Sequence, residues 1–200
     1  MAYSDFTLKD LLKRFQLREK IIALFNKLEP VELGNWLTQT LELGLPLALS
    51  SSSEKARSEL IVMPILLELR RRNHNTVAIY SGERLDVDAD LGLKGECDFI
   101  LAKSDLSHTI QAPIFLLVEA KKNDIGEGLG QCAAQMLGAR VYNQTEGNNI
   151  DTIFGGVTTG MDWQFLKLAG NTIFVDSQRY YLSEVGKILS VLQHIIVDSQ

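Results

Sequence analysis

Ile114-Phe115-Leu116-Leu117-Val118-Glu119-Ala120-Lys121 is the stretch on which the fold turns. A short, unbroken apolar run of this kind reads as a buried strand. Only its end is charged, and the two-residue period of a strand puts Glu119 and Lys121 on the same face. Upstream, Glu96 to Ala102 reads as a second strand, and Asp98 stands there between Cys97 and the apolar run Phe99-Ile100-Leu101. A carboxylate in that setting needs a partner charge or a metal. Strands joined by one loop of about residues 103 to 113 are expected to be neighbours, which brings Asp98 beside Glu119.

Outward from this pair, Val77 to Tyr80 and Thr152 to Thr159 read as further strands, and Ile125 to Tyr142 as a helix with one apolar face. Trp163 to Leu168 and Thr172 to Val175 meet at Gly170-Asn171, a hairpin turn. Ser183 to Val197 makes a last helix. Before the strands, Glu54 to Arg72 is expected to be a long helix kinked at Pro64, following a loop and N-cap at Ser50 to Ser53. The N-terminal region has apolar residues at helical spacing from 6 to 28 and again from about 31 to 45, which predicts a helical hairpin. The expectation is an α/β fold, a mixed sheet flanked by helices. Residues 1–48 are expected to form a helical extension and 49–200 the main domain, the two making one compact unit.

Composition narrows the function classes. No apolar run approaches the roughly 20 residues of a membrane helix; the longest, Leu60 to Leu67, is broken by Pro64. Residues 1 to 27 mix charges with leucines and lack a signal-peptide core, so the expected address is cytoplasmic, with no membrane partner. A net charge of −5 gives no overall field for polyanions, so a nucleic-acid partner needs a local basic patch or a bound metal. Cys97 and Cys132 match no zinc or redox spacing and read as reduced, partly buried thiols. His74, His108 and His194 are scattered, without zinc-type spacing, and Ser51 to Ser53 lack a hydrolase-nucleophile setting.

Two carboxylates converging at a strand end suit a hard cation such as Mg²⁺, which takes oxygen ligands and keeps several waters. Asp98, a spacer and then Glu119-Ala120-Lys121 resemble the D…ExK motif of the PD-(D/E)XK phosphodiesterase superfamily, the restriction-endonuclease-like fold. The order of elements from Glu54 to Thr159 is similar to that family's core of helix, three strands, helix and strand. One departure is Glu96-Cys97, where the family name puts proline before the aspartate. The resemblance implies hydrolysis of DNA with Mg²⁺, or Mn²⁺ in its place, Asp98 and Glu119 as metal ligands and Lys121 as the catalytic lysine. It also implies a supporting glutamate on the preceding helix. Glu59 is preferred because it borders Ala56, Leu60, Met63 and Leu67, and Glu54 stays open. Gln131 and Gln135, one turn apart, would orient Lys121 or contact a phosphate, and Lys122 would be an exposed lysine or a further phosphate contact.

Other features have plainer readings. Gly126-Glu127-Gly128-Leu129-Gly130 lacks the ending of a P-loop and reads as a flexible lead-in whose helix amides could help hold a phosphate. Arg70, Arg71 and Arg72 suit a helix C-terminus, and Trp36, Trp163 and Phe165 suit a core. The rival readings are a structural ion pair at the sheet end, and a nuclease fold kept as a binding or assembly module with a silent site. The hairpin of residues 6 to 45 could make a homodimer interface or cover its own sheet.

Overall fold

The computed structural model describes residues 1–51 and 53–199; Ser52, within the serine loop expected from the sequence, and Gln200 lie outside the described residues. The chain begins with a 3-10 turn, Tyr3–Asp5, and a short helix α1, Leu8–Arg14, whose N-cap Thr7 accepts the Asp10 amide. Here the expected helical hairpin is corrected. Gln16 takes a φ of 53° and ends the helix, and Arg18–Ile22 becomes an edge strand, β1. Every side chain of β1 is exposed, so it has no burial pattern that would separate a strand from a helix surface. Helix α2 is Asn35–Ser50, displaced by about four residues from the expected 31 to 45, so that Pro46 lies inside it and Ser50 belongs to it rather than to the serine loop.

The next expected helix forms in three pieces: α3, Glu54–Arg57; a π-helical turn, Ser58–Val62; and α4, Met63–Arg72. Pro64 has no N–H for the carbonyl four residues back, Leu60 O, and the wider turn falls at that place. Gly44 of α2 packs against this carbonyl: a Cβ on it would lie 2.8 Å from Leu60 O. The turn shifts the helix face. Ile61, Val62, Ile65, Leu66 and Leu69 are buried, whereas Leu67, expected inside, is 41 % exposed.

The remaining elements are β2 (Ala78–Arg84), β3 (Glu96–Ala102), β4 (Ile114–Ala120), α5 (Ile125–Thr145), β5 (Ile153–Thr158), β6 (Asp162–Ala169), β7 (Thr172–Asp176), β8 (Tyr180–Tyr181) and α6 (Val185–Asp198). Among the described residues they make one mixed sheet of eight strands, in the order β1-β7-β6-β5-β4-β3-β2, with β8 on β6. β4 runs parallel to β5 and β1 parallel to β7; the other pairs are antiparallel. β3 and β4 are neighbours, as the intervening loop suggested, with Phe99 opposite Val118.

Helices cover both faces. One core holds Leu37, Ile65, Leu69, Leu116, Val118, Trp163 and Leu192, from α2, α4, the sheet and α6. The other holds Tyr3, Leu11, Ile100, Leu117, Cys132, Met136 and Val157, beneath α1 and α5. Trp163 and Phe165 are core residues, and Trp36 is 44 % exposed on α2. Both cysteines are buried and free. Because β1 joins the main sheet, the N-terminal residues are built into the same layers as the rest of the chain. Among the described residues, no helix is long and apolar enough to cross a membrane.

Candidate active site

β4 is buried from Ile114 to Ala120, and its last carboxylate, Glu119, is only 2 % exposed. On this strand Leu117 faces α5, so the two-residue period aims Glu119 and Lys121 at α5 as well. Lys121 Nζ donates to Glu119 Oε1 at 2.7 Å and to Gln131 Oε1 at 3.0 Å. Gln135 Nε2 donates to Glu119 Oε2 at 2.8 Å. The run Gln131, Lys121, Glu119, Gln135 is therefore one hydrogen-bonded chain between a strand end and two turns of helix. Asp98 comes in from β3, its Oδ2 accepting the Ala120 amide at 2.8 Å.

The charges are coupled. Burial, then the neighbouring charge of Asp98, raises the Glu119 carboxyl from 4.5 to about 7, against the lowering pull of Lys121 and Gln135. Burial also raises Asp98, although the Ala120 amide and Lys121 oppose it. Burial pulls Lys121 down, but the Glu119 carboxylate, Glu54 and Asp98 outweigh it and hold the ammonium above its ordinary value.

A cavity of about 340 Å³ opens on this chain, lined by Asp98, Glu119, Lys121 and Gln131 together with Glu54 and Glu96. Its far wall is the N-terminal segment Ala2 to Ser4, pinned where the Tyr3 amide donates to Lys94 O at 2.9 Å. Of the two candidate helical acids, Glu54 lines this cavity. Glu59 does not; its side chain is 62 % exposed and lies 3.7 Å from Lys55. The preference for Glu59 rested on a helix face that the π turn displaces.

Glu96 was passed over as a site residue, although it stands two positions before Asp98 on the same strand, a signal that strand alternation provides. The N-terminal wall had no local signal, since it depends on a contact some ninety residues away in sequence, at Lys94. Lys122 is exposed, and its carbonyl accepts from Arg57 Nη1 at 2.7 Å.

The glycine-rich stretch is a correction. It lies within α5, where a Cβ on Gly128 would come 2.5 Å from Val157 Cγ1 and 3.0 Å from Lys121 Cγ. A Cβ on Gly130 would come 2.3 Å from Phe6 O. These glycines let α5 close on the sheet and on the N-terminal segment, and the Gly126 amide is held by the capping Asp124 Oδ1 at 2.8 Å. The three arginines are also held: Arg70 by Val77 O, Arg71 and Arg72 by the buried Glu68.

No protein-family model matches the chain, and no curated protein matches it. The chemistry of the site therefore rests on its own geometry. Among the described residues, no three His, Cys, Asp or Glu side chains converge as a ready metal cage. The donors that do lie together, Asp98 and Glu119, are hard oxygens in the number that suits Mg²⁺, an ion that keeps most of its water. Each Glu119 oxygen accepts one hydrogen bond and retains a lone pair, and Gln135 Oε1 is buried without a partner among the described residues.

Proposed function

We propose that this chain is a restriction-endonuclease-like phosphodiesterase that hydrolyses DNA with Mg²⁺, or with Mn²⁺ in its place. The observation that carries the reading is the hydrogen-bonded chain Gln131, Lys121, Glu119, Gln135 beside Asp98, opening on a cavity. An ion pair that only tied down a strand end would need neither two glutamines to orient it nor open space in front of it.

Asp98 and Glu119 would hold the ion, with Glu54 across the cavity as a supporting carboxylate. Bound there, the ion would polarise a phosphoryl oxygen and lower the pKa of an attacking water. Lys121, kept charged by Glu119, sets an ammonium at the reacting phosphate, where it offsets developing negative charge. Gln131 fixes the direction of the Lys121 ammonium and Gln135 fixes the Glu119 carboxylate. Buried Glu119 must shed its proton to ligate, which ties the activity to neutral and higher pH.

Asp98→Ala and Lys121→Ala should each lower Mg²⁺-dependent cleavage of DNA by about a hundred-fold or more while leaving the fold intact by circular dichroism. Cleavage at the wild-type rate in both variants would sink the assignment. A second reading, a nuclease-like fold that serves as a binding or assembly module, is favoured by one observation: both Glu119 oxygens already have hydrogen-bond partners from the chain itself. Cleavage by the wild type separates the two readings.

A further inference from the structure

Beside the cavity that holds Lys121 lies a larger one, of about 490 Å³, and Asp98, Glu54 and Glu96 line both. We infer that this second cavity receives one unpaired nucleobase of the strand being cut, and that it prefers bases carrying an amino group over thymine; the inference rests on the proposed phosphodiesterase reading.

Size comes first. The cavity is concave and of the volume that takes a small organic ligand, so a single nucleotide enters it, whereas a paired base inside a duplex is held in its stack. Its position comes next. A group in this cavity is adjacent to Asp98, which also lines the cavity where a phosphate would face Lys121.

Each cavity is lined by four carboxylates and one lysine, so the cation that Asp98 and Glu119 would hold is what draws the phosphate to the smaller one and leaves the larger to another part of the nucleotide. The larger cavity adds Glu59 to Glu54, Glu96 and Asp98 and offers one ammonium, Lys55, itself 3.7 Å from Glu59. A phosphate would be repelled from these walls, but a neutral base is not. Carboxylates accept from N–H groups, and an acidic side chain pairs with the cytosine 4-amino group, where thymine presents a carbonyl oxygen. Met63 and Phe99 supply an apolar wall for the base ring, and Ser58 and Ser81 add hydroxyls that can donate to ring nitrogens and carbonyls.

Cytosine and thymine are alike in size and differ at this amino group, so they isolate the effect. The test is fluorescence anisotropy in Mg²⁺ with three labelled probes: a deoxycytidine decamer, a thymidine decamer and a blunt duplex of the same length. The wild-type chain should bind the deoxycytidine decamer about ten-fold more tightly than either of the others. Ser81→Phe, which fills the cavity from an exposed position on β2, should bring the ratio close to one while the melting temperature stays near that of the wild type. Should that variant fail to fold, Ser58→Gln on the helical wall is used in the same way. Equal affinity for the three probes, no measurable binding of any of them, or an unchanged ratio in a folded, filled variant would each overturn the inference. Hydrolysis of bis(p-nitrophenyl) phosphate in Mn²⁺, a substrate too small to need the cavity, tests the phosphodiesterase reading separately. If it is hydrolysed while the probes bind equally, the base cavity alone is rejected.

Discussion

Glu119 is the residue whose environment has the most measurable consequence. Its carboxyl is raised from 4.5 in the unfolded chain to about 7 in the fold, chiefly by burial. Between those values the folded chain keeps a proton that the unfolded chain has released. The group's contribution to stability is therefore fully present below about 4.5 and is lost as the pH rises through about 7. Glu119→Gln carries no titratable group, so without metal its melting temperature should lack the part of the wild-type decline that falls in this window. Parallel melting curves against pH for the two proteins would show that burial does not hold the proton on Glu119. Metal affinity runs the other way: the carboxylate form binds, so Mg²⁺ should bind more tightly as the pH rises across the same window. Glu68 carries the opposite sign. Although burial works against its charge, hydrogen bonds and ion pairing with Arg71 and Arg72 hold its carboxyl below the usual value. Its stabilisation is present above the unfolded pKa and is lost as the pH falls through the lowered one.

Among the elements, α5 depends on glycine at its contacts. Gly130→Ala would drive a Cβ into the Phe6 carbonyl, a backbone atom that cannot swing away. The expected cost is about 1–3 kcal/mol, measured by chemical denaturation, and a change below a few tenths would mean that the N-terminal segment is not seated there. Gly128→Ala should act on core and site together, since the added carbon would lie 2.5 Å from the buried Val157 Cγ1 and 3.0 Å from the Lys121 stem; both stability and cleavage should fall in that variant. These elements also show what could be read from the sequence. β3, β4 and the Gly170-Asn171 hairpin were legible because burial alternates or runs unbroken along them. The trio Asp98, Glu119 and Lys121 was legible because charge at a buried strand end stands out, and the glutamines because they repeat at helical spacing. β1 was not, since its side chains are all exposed and Leu8, Leu11, Leu12 and Phe15 continue into it at helical spacing. Which of Glu54 and Glu59 lines the cavity was not legible, because a π turn adds a residue that a 3.6-residue wheel does not count. The walls given by Ala2 to Ser4 come from distant pairing, which has no local pattern.

At the scale of the whole molecule, a ligand that binds only the folded chain stabilises it in proportion to the logarithm of its concentration over Kd. Mg²⁺ at about ten times its Kd should add about 1.4 kcal/mol, which for a chain of this size raises the melting temperature by about 3–6 °C. Asp98→Ala should abolish that rise, and a rise that persists in the variant would place the ion elsewhere. The net charge of −5 is compatible with DNA only through such local features, so cleavage should be strongly salt-dependent only to the extent that Lys121 and Lys122 meet phosphates. The pairing of β1 with β7 also bears on how the chain is made. Arg18 lies in register with Thr172 and its amide donates to Asn171 O, so β1 must wait for a segment made about 150 residues later before it has a partner. During that interval Ile21 and Ile22 are carried on an unpaired segment, and the charges Arg18, Glu19 and Lys20 beside them are what discourage pairing with other nascent chains.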